Sequence, residues 1–269
     1  MKKYFYNYQA ITRFSKPVDR HYFLLRCMPC VNACQQTGKR ELFIHPGGSV
    51  IYGADAWKNP IQYGWRVERK GLVGFSRSCR MEEHDSFVFV SSGEIRLSPY
   101  RVAEDDFTDM FRVSSRLTAL SVPMKQLLAG TEAGYPLERA VLLARNIHDY
   151  MHYASGKTGP ETSAAEAFEL REGVCQDYAH ILIALCRASG IAARYVNGFI
   201  AGIGATHAWV EVLDNGCWWG IDPTHNCRIE YGYIKVAHGR DAMDCPVNRG
   251  VFTGMATQQT DIRVIVEEI

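Results

Sequence analysis

The sequence has no surplus of charge of either sign: 30 Lys and Arg stand against 29 Asp and Glu, a formal net charge of +1. That balance excludes a global basic field drawing in nucleic acid or an anionic membrane surface. No apolar run approaches the roughly 20 residues that a membrane-spanning helix needs. The opening residues, Met1 to Tyr8, bring two lysines but are followed and broken by Asn7, Gln9 and Arg13, so the hydrophobic stretch of a signal peptide is missing. Internal repeats and low-complexity tracts are missing as well. Cysteine is not scarce, yet its number, nine, is odd, and Cys186 sits inside an apolar, helix-like stretch. Reduced thiols suit that pattern better than a disulfide framework. The expectation is a cytoplasmic protein with neither membrane nor nucleic-acid partners.

What is present is enough apolar material for a substantial core, 47% of 269 residues, in one large domain or two smaller ones. Up to about residue 115, aromatic and β-branched runs (Tyr22 to Leu25, Glu41 to Ile44, Ser49 to Tyr52, Ser86 to Val90) alternate with turn clusters such as Pro46-Gly47-Gly48 and Ser91-Ser92-Gly93. This half reads as all-β. From Pro136 the period becomes helical, with Leu137, Val141, Ala144, Ile147 and Met151 on one stripe. A second helix is expected from Ser163, three residues before Glu166 as a capping box requires, with a stop at Gly173. A third runs from Val174 to Ser189 and ends at Gly190. Strands follow at Ala193 to Ile200, Thr206 to Leu213, Cys217 to Asp222 and Ile262 to Glu268, and Asp214-Asn215-Gly216 is a hairpin signal. The expected fold is α+β, with a boundary between 115 and 135: a β-rich N-terminal domain over 1–120 and a core of helices followed by antiparallel sheet over 121–269.

Cys175 opens the third helix, which is apolar almost all round (Ala179, Ile181, Leu182, Ile183, Ala184, Leu185) and so is expected to be buried, its N-terminus pointing into a cleft. Unpaired N–H groups and the positive end of a helix favour thiolate over thiol, and the thiolate is the nucleophile. The same N–H groups can stabilise an oxyanion. By itself a Cys beside an apolar helix is more often a small core residue. The hairpin downstream adds partners. With a loop of two or four residues between its strands, His207 and Asp222 leave the same face of the sheet; a three-residue loop separates them. A His–carboxylate pair of that kind fixes the imidazole tautomer and lets the other ring nitrogen take a thiol proton. A strand His paired with a hairpin Asp for stability is the plainer alternative. Here the three types follow in the order Cys, His, Asp, 32 and 15 residues apart.

At these residues a resemblance emerges. Gly173-Val174-Cys175-Gln176-Asp177-Tyr178-Ala179-His180, then Gly190-Ile191-Ala192-Ala193-Arg194-Tyr195-Val196-Asn197-Gly198, His207-Ala208-Trp209-Val210-Glu211-Val212 and Trp219-Gly220-Ile221-Asp222-Pro223-Thr224 resemble the bacterial transglutaminase-like superfamily. The likeness continues from Tyr233 to Phe252, and Phe23 to Pro29 with His84 to Phe87 resemble the N-terminal region of many bacterial members. Ala192 stands where Pro is usual, and His225 where Asn often follows Asp-Pro-Thr. The resemblance implies a papain-like core with Cys175 as nucleophile, His207 as base and Asp222 as orienter, and no cofactor or metal.

Other residues invite a role. Cys27, Cys30 and Cys34, with His45 or Cys79, have the donors for zinc, but the second close cysteine pair is lacking and no metal is expected. Asp177 reads as a capping residue. Gln176 is less suited to an oxyanion hole than the backbone N–H of Cys175, and the second donor is not identifiable. Trp209, Trp218 and Trp219 flank the hairpin, at least two of them as core. His225 is left unassigned. The expected function is a cysteine peptidase or amidase acting through a thioester on a peptide or protein substrate. Acyl transfer to an amine, as in a transglutaminase, and a non-catalytic binding module are the alternatives.

Overall fold

Tyr4, Tyr6, Tyr8, Ala10, Thr12 and Phe14 are buried while their neighbours face outward, the period-two pattern of a strand covered on one side. This is β1 (Lys2–Phe14). The computed structural model describes residues 1–16, 18, 20–67, 86–105, 107–132 and 134–269; Cys79, His84 and Asp85 lie outside the described residues. The first half continues with β2 (Arg20–Leu25), β3 (Gln35–His45), β4 (Ser49–Ala54), β5 (Pro60–Val67), β6 (Ser86–Leu97) and the short β7 (Val102–Ala103). After two 3-10 turns come α1 (Pro136–Tyr150), β8 (His152–Tyr153), α2 (Ala164–Leu170), β9 (Glu172–Gly173) and α3 (Cys175–Ala188). The remainder is strand: β10 (Ala193–Ile200), β11 (Gly202–Gly204), β12 (His207–Asp214), β13 (Cys217–Asp222), β14 (Cys227–Arg228), β15 (Tyr233–Gly239), β16 (Asn248–Thr253) and β17 (Gln258–Glu268). Mixed helices and antiparallel sheets make this the α+β class.

Three larger sheets result. One has the order β11-β17-β1-β6-β3, a second β16-β2-β5-β4, and the third β14-β13-β12-β10-β15 with β7 also on β13. Strands from both ends of the chain share sheets: β17 pairs antiparallel with β1, and β16 with β2. Residues after 121 therefore complete the sheets that the first half begins. A cluster of Tyr6, Tyr8, Phe23, Phe89, Phe199 and Ile234 binds these layers to the third sheet, with the Tyr8 and Phe199 ring centroids 5.5 Å apart. Aromatic side chains carry the largest burial areas, so this contact is a strong one.

The helices pack on the other side. The ring of Pro136 suits the first turn of α1, whose buried residues are Ala140, Leu143, Ala144 and Ile147. Of the expected stripe, Ala144, Ile147 and Met151 are buried and Leu137 packs partly buried against the core, while Val141 is 37% exposed. Ser163 and Glu166 form the capping box that starts α2, and Arg171, in the left-handed region at φ 55°, ends it before Gly173. Every residue of α3 from Asp177 to Arg187 is buried, against α1, α2 and the inward residues Ala208, Val210 and Val212 of β12. Full burial of a Leu or Ile side chain contributes about 1.5–3 kcal/mol, so Ile181, Leu182, Ile183 and Leu185 hold α3 firmly. Gly190, at φ +76°, closes it. Among the described residues no helix is long and apolar enough to cross a membrane.

Candidate active site

Cys175 is the first residue of α3, and its position is locked from three sides. Asp177, 1% exposed, reaches back to accept the Val174 N–H at 2.7 Å and the Thr158 hydroxyl at 2.6 Å. Gly173 has no side chain because a Cβ there would strike the Asp177 carboxylate. β9 pairs with β8, fixing the chain just before the helix. Burial raises the Asp177 carboxyl above its usual value, opposed by the hydrogen bonds it accepts. Asp177 thus has the capping role read from the sequence. Cys175 itself is half-buried at the rim of a cleft of about 540 Å³, lined also by Tyr153, Ile200 to Thr206, His207, Thr224 and His225.

The hairpin has the two-residue loop, Asn215-Gly216, with Asp214 opposite Cys217 and Val210 opposite Ile221. Continuing that register puts Asp222 opposite Trp209 and makes His207 its diagonal neighbour on the same face. The two meet: His207 Nε2 lies 2.7 Å from Asp222 Oδ2. A carboxylate only accepts, so Nε2 carries the proton and donates, and Nδ1 is left for the Cys175 thiol, with which His207 also hydrogen-bonds. Burial alone would lower the His207 pKa; the bonds to Asp222 and Cys175 and their charges more than offset it, raising it to about 9. The structure brings Cys175, His207 and Asp222 together.

The carboxylate is more heavily engaged than the sequence suggested. Asp222 is fully buried, and its Oδ2 accepts from His225 Nδ1 at 2.6 Å and from the Tyr233 hydroxyl at 2.8 Å as well as from His207. Its Oδ1 accepts the backbone N–H groups of Thr224 and His225 at 2.9 and 3.2 Å. Burial works against the charge, but these donors hold the carboxyl well below the usual carboxylate range. Tyr233 arrives on β15, whose pairing with β10 places it on the site face. Neither His225 nor Tyr233 was assigned from the sequence. The signal for His225 was its position three residues past Asp222, the spacing at which a short turn folds back on an Asp side chain.

Gln176 gives its side-chain amide to the carbonyls of Gly159 and Pro160, so it faces the neighbouring loop. Trp209 and Trp218 are fully buried, and Trp219 lies under the guanidinium of Arg228, 4.4 Å from the ring centroid. Cys27, Cys30 and Cys34 go to separate partners: Gln62, the Val236 carbonyl and Asn32. Burial pushes the Cys27 and Cys30 thiols up to about 12, which opposes metal binding. Among the described residues the one group spaced as metal ligands is His207, Asp222 and His225, whose donor atoms lie within 4.8 Å of one another. A metal there would have to displace the ring protons that already satisfy Asp222.

With this geometry in hand, residues 125–223 match the family described as the transglutaminase-like superfamily. That matched stretch holds Cys175, His207 and Asp222. Uncharacterized proteins of Mycobacterium leprae and Mycobacterium tuberculosis are similar to this chain. The first is 36% identical over 142 residues, 49% of this chain and 50% of that protein. The second is 39% identical over 141 residues, 46% of this chain and 45% of that protein. The chain spans about half the length of the curated relatives it matches. A crystal structure from Cytophaga hutchinsonii, described as a "Putative Cysteine Protease", aligns over 100% of this chain and 91% of its own with a TM-score of 0.79. At 21% identity that likeness gives the fold.

Proposed function

We propose that the chain is a cysteine hydrolase, a peptidase or amidase, in which Cys175, His207 and Asp222 act as nucleophile, base and orienter on a papain-like core. The single observation that carries the reading is the chain of contacts from the thiol at the start of a buried helix, through an imidazole, to a buried and fully hydrogen-bonded carboxylate. His207, charged up to about pH 9, provides the cation beside which a thiolate is stable. The thiolate adds to the substrate carbonyl carbon. The oxygen that becomes negative is met by the Cys175 N–H at the helix N-terminus. The tetrahedral intermediate collapses as His207 protonates the departing amine, leaving a thioester. His207, now neutral, takes a proton from water; the hydroxide adds to the thioester, and the acid and the thiolate are released. Asp222 holds the ring through its Nε2 proton in both halves of the cycle.

Water as the acceptor is supported by exposure. The cleft wall over residues 201–205 is open to solvent, and the His225 side chain at the rim is half exposed. Transfer to an amine needs a site that keeps water from the thioester. Every described cysteine is unpaired, which supports a reducing compartment, the cytoplasm. Incubation of wild type and Cys175→Ala with a peptide pool, with and without a primary amine, tests the reading by mass spectrometry. Peptides cleaved by wild type alone are the expected result. Amine-tagged glutamines would instead establish acyl transfer, and no turnover with an unreactive Cys175 would leave a binding module.

A further inference from the structure

One wall of the cleft is made of main chain. Every residue from Ile200 to Thr206 lines it, and the run leads directly into His207. Within it, β11 is bonded to β17 on one side and, among the described residues, is the terminal strand of its sheet on the other. All three of its residues are exposed. An edge strand offers N–H and C=O groups that another extended chain can pair with.

Side chains along this edge are small, apart from Ile203, which is 72% exposed. The two glycines of β11 are there for different reasons. Gly202 has φ +115°, a conformation that side chains rarely adopt, and it redirects the chain from the β10–β15 pairing to the pairing with β17. Gly204 has no such requirement: its φ lies outside that region, and a Cβ built on it meets nothing within 4 Å. The fold does not need a bare backbone at 204. The space over Gly204 is open to a chain laid along β11.

We propose that β11 is the docking strand of the cleft, pairing through its free edge with an extended peptide main chain and carrying that chain across Cys175. The proposal rests on the catalytic reading above and narrows its substrate class to polypeptide in extended form, as against a small amide or an isolated side-chain carboxamide. Strand addition draws affinity from main-chain hydrogen bonds and leaves sequence preference to alternate side chains.

Chloromethyl ketones test this without a known substrate, because the thiolate displaces chloride and the new carbon–sulfur bond is read as added mass on Cys175. Inactivation rates of the wild type are compared for acetyl-alanyl and acetyl-trialanyl chloromethyl ketones, for trialanyl reagents N-methylated at one amide each, and for iodoacetamide. The expected result is a trialanyl rate about tenfold above the monoalanyl rate, the sum of a few backbone hydrogen bonds. N-methylation should abolish the gain at alternate amides, the signature of a paired strand. Normal iodoacetamide labelling of Cys175 with no gain from peptide length would overturn the docking strand and leave the catalytic reading standing. A gain indifferent to N-methylation would overturn it too. Failure of iodoacetamide to label Cys175 ahead of the half-buried Cys227 would sink both.

Discussion

Two fully buried carboxylates share one face of the same sheet, Asp222 at the open end of the β12–β13 hairpin and Glu211, opposite Gly220, two residue pairs nearer the turn end. Glu211 is answered by Arg194 on the neighbouring strand, by Lys235 at 2.7 Å and by the Tyr100 hydroxyl at 2.7 Å. Burial raises its pKa, but the Arg194 and Lys235 charges bring it down to about 2. Asp222 is answered by two imidazoles and a phenol. Trp209 lies between them, donating to Tyr100 at 3.0 Å and packing edge-on to Tyr233 at 5.4 Å. The difference lies in the partners. Arginine keeps its proton at any working pH and is sealed away here, so that end can only brace the sheet. Imidazole exchanges its proton, and at the other end one ring opens on a cleft beside a thiol.

The comparison gives distinct expectations at its two ends. Cys175→Ala and His207→Ala should each cut turnover by about 10⁶-fold without unfolding the chain, since nucleophile and base act as one unit. Next in size is a paired test. Asp222→Asn should lower kcat by about 10²- to 10⁴-fold, while Glu211→Gln should destabilise the protein by about 3–5 kcal/mol in chemical denaturation, because it strands two buried cations. The folded fraction of Glu211→Gln should keep its turnover. A per-molecule loss as large as that of Asp222→Asn would break the division between the two carboxylates.

The pH profile sharpens the chemical end. His207 is raised from 6.5 to about 9, so the protonated ring that serves the leaving group persists below that value. Turnover should decline as pH rises through about 9. The stability that this raised value contributes should be present in full below about pH 6.5 and lost over the same rise. Smallest of all, Tyr233→Phe removes one of the donors to Asp222 and should cost about fivefold in kcat, of the order of one hydrogen bond, with KM little changed.

How much of this could be read from the chain depended on distance along it. The position of the hairpin, the capping box at Ser163 and the termination of α3 at Gly190 are local and were legible, while the hairpin register stayed open between a two- and a four-residue loop. The meeting of His207 and Asp222 was legible too, because parity along two adjacent strands decides it. Tyr233 was not, since its place beside Asp222 depends on β15 lying across β10 with a bulge at Asn197 and Gly198, which no local pattern announces. The pairing of β1 with β17 joins the two ends of the chain and was equally out of reach. β1 itself was legible. Its alternating Tyr4, Tyr6 and Tyr8 carry the period of a strand covered on one side. On α1 the small Ala140 is buried where its neighbour Val141 was expected.

The central claim is that Cys175 and His207 form one nucleophilic unit, and the most direct test is the rate of iodoacetamide labelling of each thiol near pH 7, by peptide mapping, in wild type and His207→Ala. The account predicts that Cys175 is labelled well ahead of the equally half-buried Cys227 in the wild type and loses that lead when the imidazole is removed. Equal labelling of the two thiols, unchanged by His207→Ala, would contradict it.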